Sequence, residues 1–206
     1  MRTKMILSAV ILTSMGLALA CSSPAPEPRY YLMRGEASAA GSGRLDAPIR
    51  AGIGRLVVAP YLLSSKGVII EVASGEVRPA RGHQWAEPLD AGLRWFLRAE
   101  IAGILGDEVG MGFVDRQDWD YTIDVFIARF HGTMSGTALL EATYAIRPAA
   151  DSESLREYQF SKSRPLAEEG YAGLVAAEQG LASEFAASIA EALQELIAAR
   201  EASGSR

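Results

Sequence analysis

Apolar positions along this chain recur with two different periods. Trp119, Tyr121, Ile123, Val125 and Ile127 alternate with Asp120, Thr122 and Asp124, the pattern of a strand with one buried and one wet face. After Val125 the alternation blurs. Phe126 and Phe130 take the opposite parity, which implies a bulge or a segment covered on both faces. Residues 132–136 form a turn, and Ala138, Leu140, Ala142, Tyr144 and Ile146 then alternate with Thr137, Glu141, Thr143 and Arg147, completing a hairpin. Residues 155–161 add a third antiparallel strand. Earlier in the chain, Tyr30, Tyr31 and Leu32 make a short first strand, and residues 35–48, rich in Gly, Ala and Ser, a loop. Residues 53–59 read as a central strand stopped by Pro60, and residues 68–72 as another. Residues 77–81 read as a further strand, which Pro79 confines to a sheet edge or ends.

The longer period marks two helices. Over residues 88–105, Leu89, Leu93, Phe96, Leu97, Ile101 and Ile104 share one face, and Asp90 and Arg94 lie four apart on the other, spaced to pair. Pro88 suits the first helical position, Glu87 supplies negative charge at the N-terminus, and Gly106 suits the C-terminal stop. Over residues 170–199 the buried stripe is Leu174, Leu181, Phe185, Ile189, Leu193 and Leu196, with Glu178, Glu184, Glu191 and Glu195 placed away from it. Residues 201–206 read as a frayed tail. Runs of strands with helices between and after them predict a single α+β domain over residues 29–200. The expected form is a mainly antiparallel sheet with two long amphipathic helices packed on one face.

The start of the chain changes the picture. Arg2 and Lys4 form a basic head, residues 5–20 are uncharged and mostly apolar, and Leu17, Ala18, Leu19 and Ala20 precede the only cysteine, Cys21. This is a secretory signal over residues 1–20. It resembles the lipobox of bacterial lipoproteins, with Ala18 where lipoboxes favour Leu. The resemblance implies that Cys21 is acylated and becomes the first mature residue, and Ser22 after it implies sorting to the outer membrane. Cys21 and the Pro-rich residues 22–28 then form a lipidated tether that lifts the domain on the order of 20 Å at most, at about 3.1 Å per residue.

Cleavage leaves 186 of the 206 residues and moves the formal net charge from -5 to about -7. An acidic domain is a poor match for nucleic acid or for anionic headgroups. With Cys21 acylated, no disulfide forms within the chain, and His83 and His131 show no metal-ligand spacing. P-loop, G-x-S-x-G and H-E-x-x-H motifs are lacking. The expectation is a protein with no catalytic residues, no cofactor and no metal.

Several features then coincide. Tyr30-Tyr31-Leu32 follows the lipobox, and Pro60-Tyr61-Leu62 closes a strand; Trp85-Ala86-Glu87-Pro88-Leu89 opens the first helix. Trp119-Asp120-Tyr121 starts the hairpin and Gly170-Tyr171 opens the last helix. In this order the chain resembles the ABC-type transport auxiliary lipoproteins, the PqiC-like family. The resemblance implies an outer-membrane lipoprotein facing the periplasm. It would be a non-catalytic docking subunit of an intermembrane lipid transport system with an MCE-domain protein as partner, held by its lipid anchor and supporting envelope integrity. Self-association is left open, and the other reading is a scaffold lipoprotein of another envelope complex. Leu63-Ser64-Ser65-Lys66 stands where family members often carry charged residues. The candidate partner-binding residues are Tyr61, Leu62, Leu63, Trp85 and Glu87. For Trp85 and Glu87 the competing reading is helix-start chemistry over a buried ring; for the turn it is an ordinary tucked-in loop.

Overall fold

The computed structural model describes residues 27–34, 48–106, 109–112, 119–149 and 154–204. The leader, Cys21, the tether up to residue 26 and residues 35–47 of the loop lie outside this set. Among the described residues the chain runs β1 (Arg29–Tyr31), β2 (Ile49–Val58), a 3-10 turn (Pro60–Leu63), β3 (Gly67–Ala73) and β4 (Glu76–Trp85). It continues through α1 (Leu89–Leu105), β5 (Val109–Gly112), β6 (Tyr121–Thr133), β7 (Thr137–Pro148), β8 (Arg156–Pro165) and α2 (Tyr171–Gly204).

All eight strands join one sheet, organised around β6. One edge of β6 pairs antiparallel with β7, and β7 with β8. The other edge is shared, with β2 beside its first half and β3 beside its end, both parallel. Val58 and Ile70, twelve residues apart, sit opposite Ile127 and Gly132, five apart. The surplus chain loops out as the 3-10 turn and the residues after it. β5 lies parallel outside β2, β4 antiparallel outside β3, and β1 parallel outside β4. The sheet is therefore mixed, and the expectation of a mainly antiparallel one is corrected. Its antiparallel limb, β6–β7–β8, comes from consecutive hairpins, while α1 and longer connections return the chain so that β5 and β6 run parallel to β2.

Both helices pack on one face. The alternating residues Tyr121, Ile123, Val125 and Ile127 of β6, and Ala138, Leu140, Ala142, Tyr144 and Ile146 of β7, are buried beneath them. A register shift between Ile127 and Arg129 turns Phe130 onto that buried face and leaves Phe126 exposed on the other. Phe185 of α2 seats among Phe160 and Tyr144, with ring centroids 5.0 and 5.6 Å away, and Tyr144 donates its hydroxyl to the Ser188 carbonyl at 3.1 Å. Trp119 lies across Gly52 and Gly112, where a Cβ would stand within 2.3 and 2.1 Å of the indole, so both positions demand glycine.

Several local expectations shift. Arg94 does not serve Asp90; its guanidinium donates to the carbonyls of Ile53 (2.7 Å) and Gly54 (3.3 Å), where a bulge in β2 interrupts the ladder. Asp124 supports the same bulge from the other side, accepting the Arg55 N–H at 2.8 Å. Leu105, not Ile104, completes the buried stripe of α1. β4 extends to Trp85, and Pro79 stands where β1 does not reach, so the strand is an edge there. α2 continues to Gly204, so residues 201–204 are helical, and residues 205–206 lie outside the described set.

Glu178 departs furthest from its sequence reading. It is 1% exposed, and its Oε2 has no hydrogen-bond partner. Burial pushes its carboxyl well above the usual range, because charge is costly away from water. The folded state holds this proton at pH values where the unfolded chain releases it, so stability falls as pH rises from the ordinary carboxylate range toward neutrality. Glu178→Met should raise stability at pH 7 by about 1–3 kcal/mol, the cost of an unsatisfied buried group. Urea titrations at pH 4 and pH 7 should show that gain shrinking at the lower pH.

Candidate partner-binding surface

The 3-10 turn is held at both ends by backbone bonds. Leu62 N–H donates to the Ala59 carbonyl and Ser64 N–H to that of Tyr61. The turn presents its three apolar residues in three ways. Leu62 is 2% exposed and enters the core. Tyr61 is half-buried, its ring edge-on to His131 at 6.0 Å and its hydroxyl aimed at the Ala128 carbonyl at 3.4 Å. Desolvation raises its phenol above the ordinary value. Leu63 alone stands out, 47% exposed.

Trp85 is buried against Phe130, with ring centroids 6.4 Å apart, and its backbone N–H donates to the Lys66 carbonyl at 2.7 Å. Glu87 forms a two-armed ion pair with Arg34 and lies beside Gly92 in the first turn of α1. As surface contacts, Leu62 and Trp85 are therefore corrected: both are core residues, out of reach of a partner on the folded domain. Glu87 is engaged within the domain by Arg34, and no side chain caps the N-terminus of α1, whose N-cap is Pro88.

Glu87 belongs to a clamp that fastens the first described segment. Tyr31 accepts the Ala86 N–H at its carbonyl (2.7 Å), and its hydroxyl shares a hydrogen bond with His83 Nδ1 at 2.8 Å. His83 in turn stacks on Tyr171 at the start of α2, centroids 4.3 Å apart. Desolvation, with Arg29 nearby, lowers the His83 pKa. Met33 is 1% exposed, and Gln179 of α2 donates to the Leu32 carbonyl at 3.0 Å.

The sheet face away from the helices carries the surface that the sequence marked only by parity. Val57 and Phe126 are cross-strand partners, 41% and 44% exposed, and Thr143 lies opposite Phe126 on β7. With Ala145 they floor a shallow depression of about 370 Å³, rimmed by Arg55, Asp124 and Glu157. Further along the same face, Arg129 bridges Glu71 (2.9 Å) and Glu141 (3.2 Å). The Gly75 N–H, followed by Arg129, holds the Glu71 carboxyl below its ordinary value. Among the described residues, no three His, Cys, Asp or Glu side chains gather in a way that could hold a metal. No helix among them is long and apolar enough to cross a membrane.

The architecture defines an α+β domain with helices on one face of a mixed sheet and, among the described residues, no element covering the other. The chain belongs to the ABC-type transport auxiliary lipoprotein component family, whose model matches residues 30–190. No curated protein sequence matches it significantly. Two crystal structures share the fold. One is of a protein described as uncharacterized, 19% identical with a TM-score of 0.69, covering 82% of this chain and 99% of the other. The second is a Xanthomonas campestris protein of the DUF330 family, 16% identical with a TM-score of 0.59, covering 87% and 98% respectively.

Neighbouring residues of the turn should respond oppositely to truncation. Leu62→Ala should cost about 2–4 kcal/mol as a core cavity, while Leu63→Ser should stay within about 0.5 kcal/mol, read by urea denaturation. EDTA should leave the melting midpoint of either protein unchanged.

Proposed function

We propose that this protein is an outer-membrane lipoprotein, anchored at Cys21 on the periplasmic face. It acts as a non-catalytic docking subunit of an MCE-type intermembrane lipid transport system. The observation that carries the reading is the family match over residues 30–190, which makes the chain an auxiliary lipoprotein of ABC-type transport. The lipobox ending at Cys21 supports the anchor, and Ser22 supports outer-membrane sorting. The bare sheet face supports docking: Val57 and Phe126 are apolar and exposed on strands fixed from behind by the helices. Rigid exposed apolar groups with a charged rim are what a protein partner can bury. A passive role also fits the two histidines, since His83 is stacked on Tyr171 and His131 is buried beside Tyr61.

Two measurements test this. Mass spectrometry of the mature N-terminus should find an acylated Cys21, and Cys21→Ser should release the protein from the membrane fraction. Pull-down with the MCE-domain protein of such a transport system should succeed, and Phe126→Asp should weaken it at an unchanged melting temperature. Absence of binding by the folded domain would favour a scaffold role in another envelope complex.

A further inference from the structure

We propose that the ends of the β3–β4 and β6–β7 hairpins rest on the phospholipid bilayer and that Met134 and Val77 enter its interface. The inference builds on the lipid anchor at Cys21 and adds the orientation in which the domain sits. β1 runs parallel to β4 with Arg29 beside His83, so the chain leading back toward Cys21 leaves Arg29 heading toward the β3–β4 turn. Cys21 is eight residues before Arg29, and at the about 3.1 Å per residue of this Pro-rich tether the chain spans about 25 Å. β4 bulges between Pro79 and Gln84, where five residue steps face two of β3, so from His83 to Glu76 the strand advances at most the six residues from Gly67 to Ala73, about 20 Å at the rise of a strand. A leash that outreaches this stretch by only about 5 Å or slightly more keeps the turn end of the domain nearest the bilayer and lets it rest there.

The same end of the sheet carries the β6–β7 turn. Met134 donates its N–H to the Glu71 carbonyl at 3.2 Å, and Glu71 is the cross-strand partner of Val77. Met134 is 70% exposed, the highest value among the exposed large apolar side chains, and Val77 is 38% exposed. A flexible thioether at a hairpin tip can bury itself among acyl chains at little conformational cost. Arg78 is exposed on β4 at this end, paired with Glu76 at 3.5 Å, and its long side chain can also reach phosphate groups. The opposite end of the domain holds the C-terminus of α1, β5 and the last turns of α2, which together border a groove of about 620 Å³. In this orientation that end faces the periplasm.

The test separates orientation from lipidation. The mature chain, with a hexahistidine segment replacing Cys21, is bound to vesicles of phosphatidylethanolamine, phosphatidylglycerol and nickel-chelating lipid. Single cysteines at Met134→Cys, Val77→Cys, Leu32→Cys and Ile104→Cys carry an environment-sensitive fluorophore. Ile104 is matched for exposure, at 47%, and lies at the far end near Leu105. Quenching by lipids carrying a quencher in the upper acyl chain should be several-fold stronger at positions 134 and 77 than at 104. Quenching confined to position 32 would mean the domain lies on its β1 edge and would overturn the proposal, as would equal weak quenching at all four. Failure of Cys21 acylation is read separately, by mass spectrometry of the native lipoprotein, and leaves the tethered measurement intact.

Discussion

The divided edge of β6 is the constraint on which the rest of this domain depends. A single strand donates and accepts along one edge for two neighbours in succession, β2 and then β3. The chain between them must leave the sheet and return within a few residues. Buried backbone groups have to find partners, so the excursion is closed tightly, with Ala59 N–H bonded to the Ile127 carbonyl and Leu62 pinned in the core. Arg129 reinforces the junction from the bare face. It links Glu71 on β3 to Glu141 on β7 across β6, so three strands are tied at the point where the ladder changes partner.

The two faces of the sheet follow different rules. On the covered face, alanines of α2 such as Ala182, Ala186 and Ala190 are fully buried and let the helix lie close to the strands. Larger rings then fill what remains, as Phe185 does against Phe160 and Tyr144. On the bare face the strands carry charges in pairs, Arg147 with Asp124 and Arg129 with Glu141, interrupted by the exposed Val57 and Phe126. Exposed ion pairs of this kind add little stability but keep the face soluble. The apolar gap between them is therefore the part of that face with most to gain from being covered.

Much of this was legible from local pattern, because a strand or helix displays its own faces in its own residues. The alternation through Tyr121, Ile123 and Val125, and through Leu140, Ala142 and Tyr144, named the buried face correctly. The break at Phe126 and Phe130 announced the bulge. Pairing partners were not legible, since nothing local in β2 or β3 shows that both lie parallel against one strand. Arg94 looked like a partner for Asp90 because carbonyls freed by a bulge on another element leave no trace at Arg94 itself. Glu178 was read as solvated from its charge, yet two helices packed on one sheet cover more of α2 than a single apolar stripe implies. Of the residues offered as a contact surface, Leu62 and Trp85 were apolar and adjacent to breaks in the pattern. A side chain at a turn can point inward or outward with the same sequence, and here both point inward.

The clamp around β1 also has a mechanical meaning. A load on Arg29 directed along β1 acts parallel to the ladder that joins the strand to β4. That ladder is then sheared, so the hydrogen bonds share the force and must fail together, whereas a peeling load would open them one at a time. Behind the ladder, Met33 is sunk in the core, Arg34 is held by Glu87, and the Leu32 carbonyl is held by Gln179 of α2. Three residues of strand would be a weak handle alone. Wired in series to both helices, they pass tension on the N-terminal segment into the body of the domain.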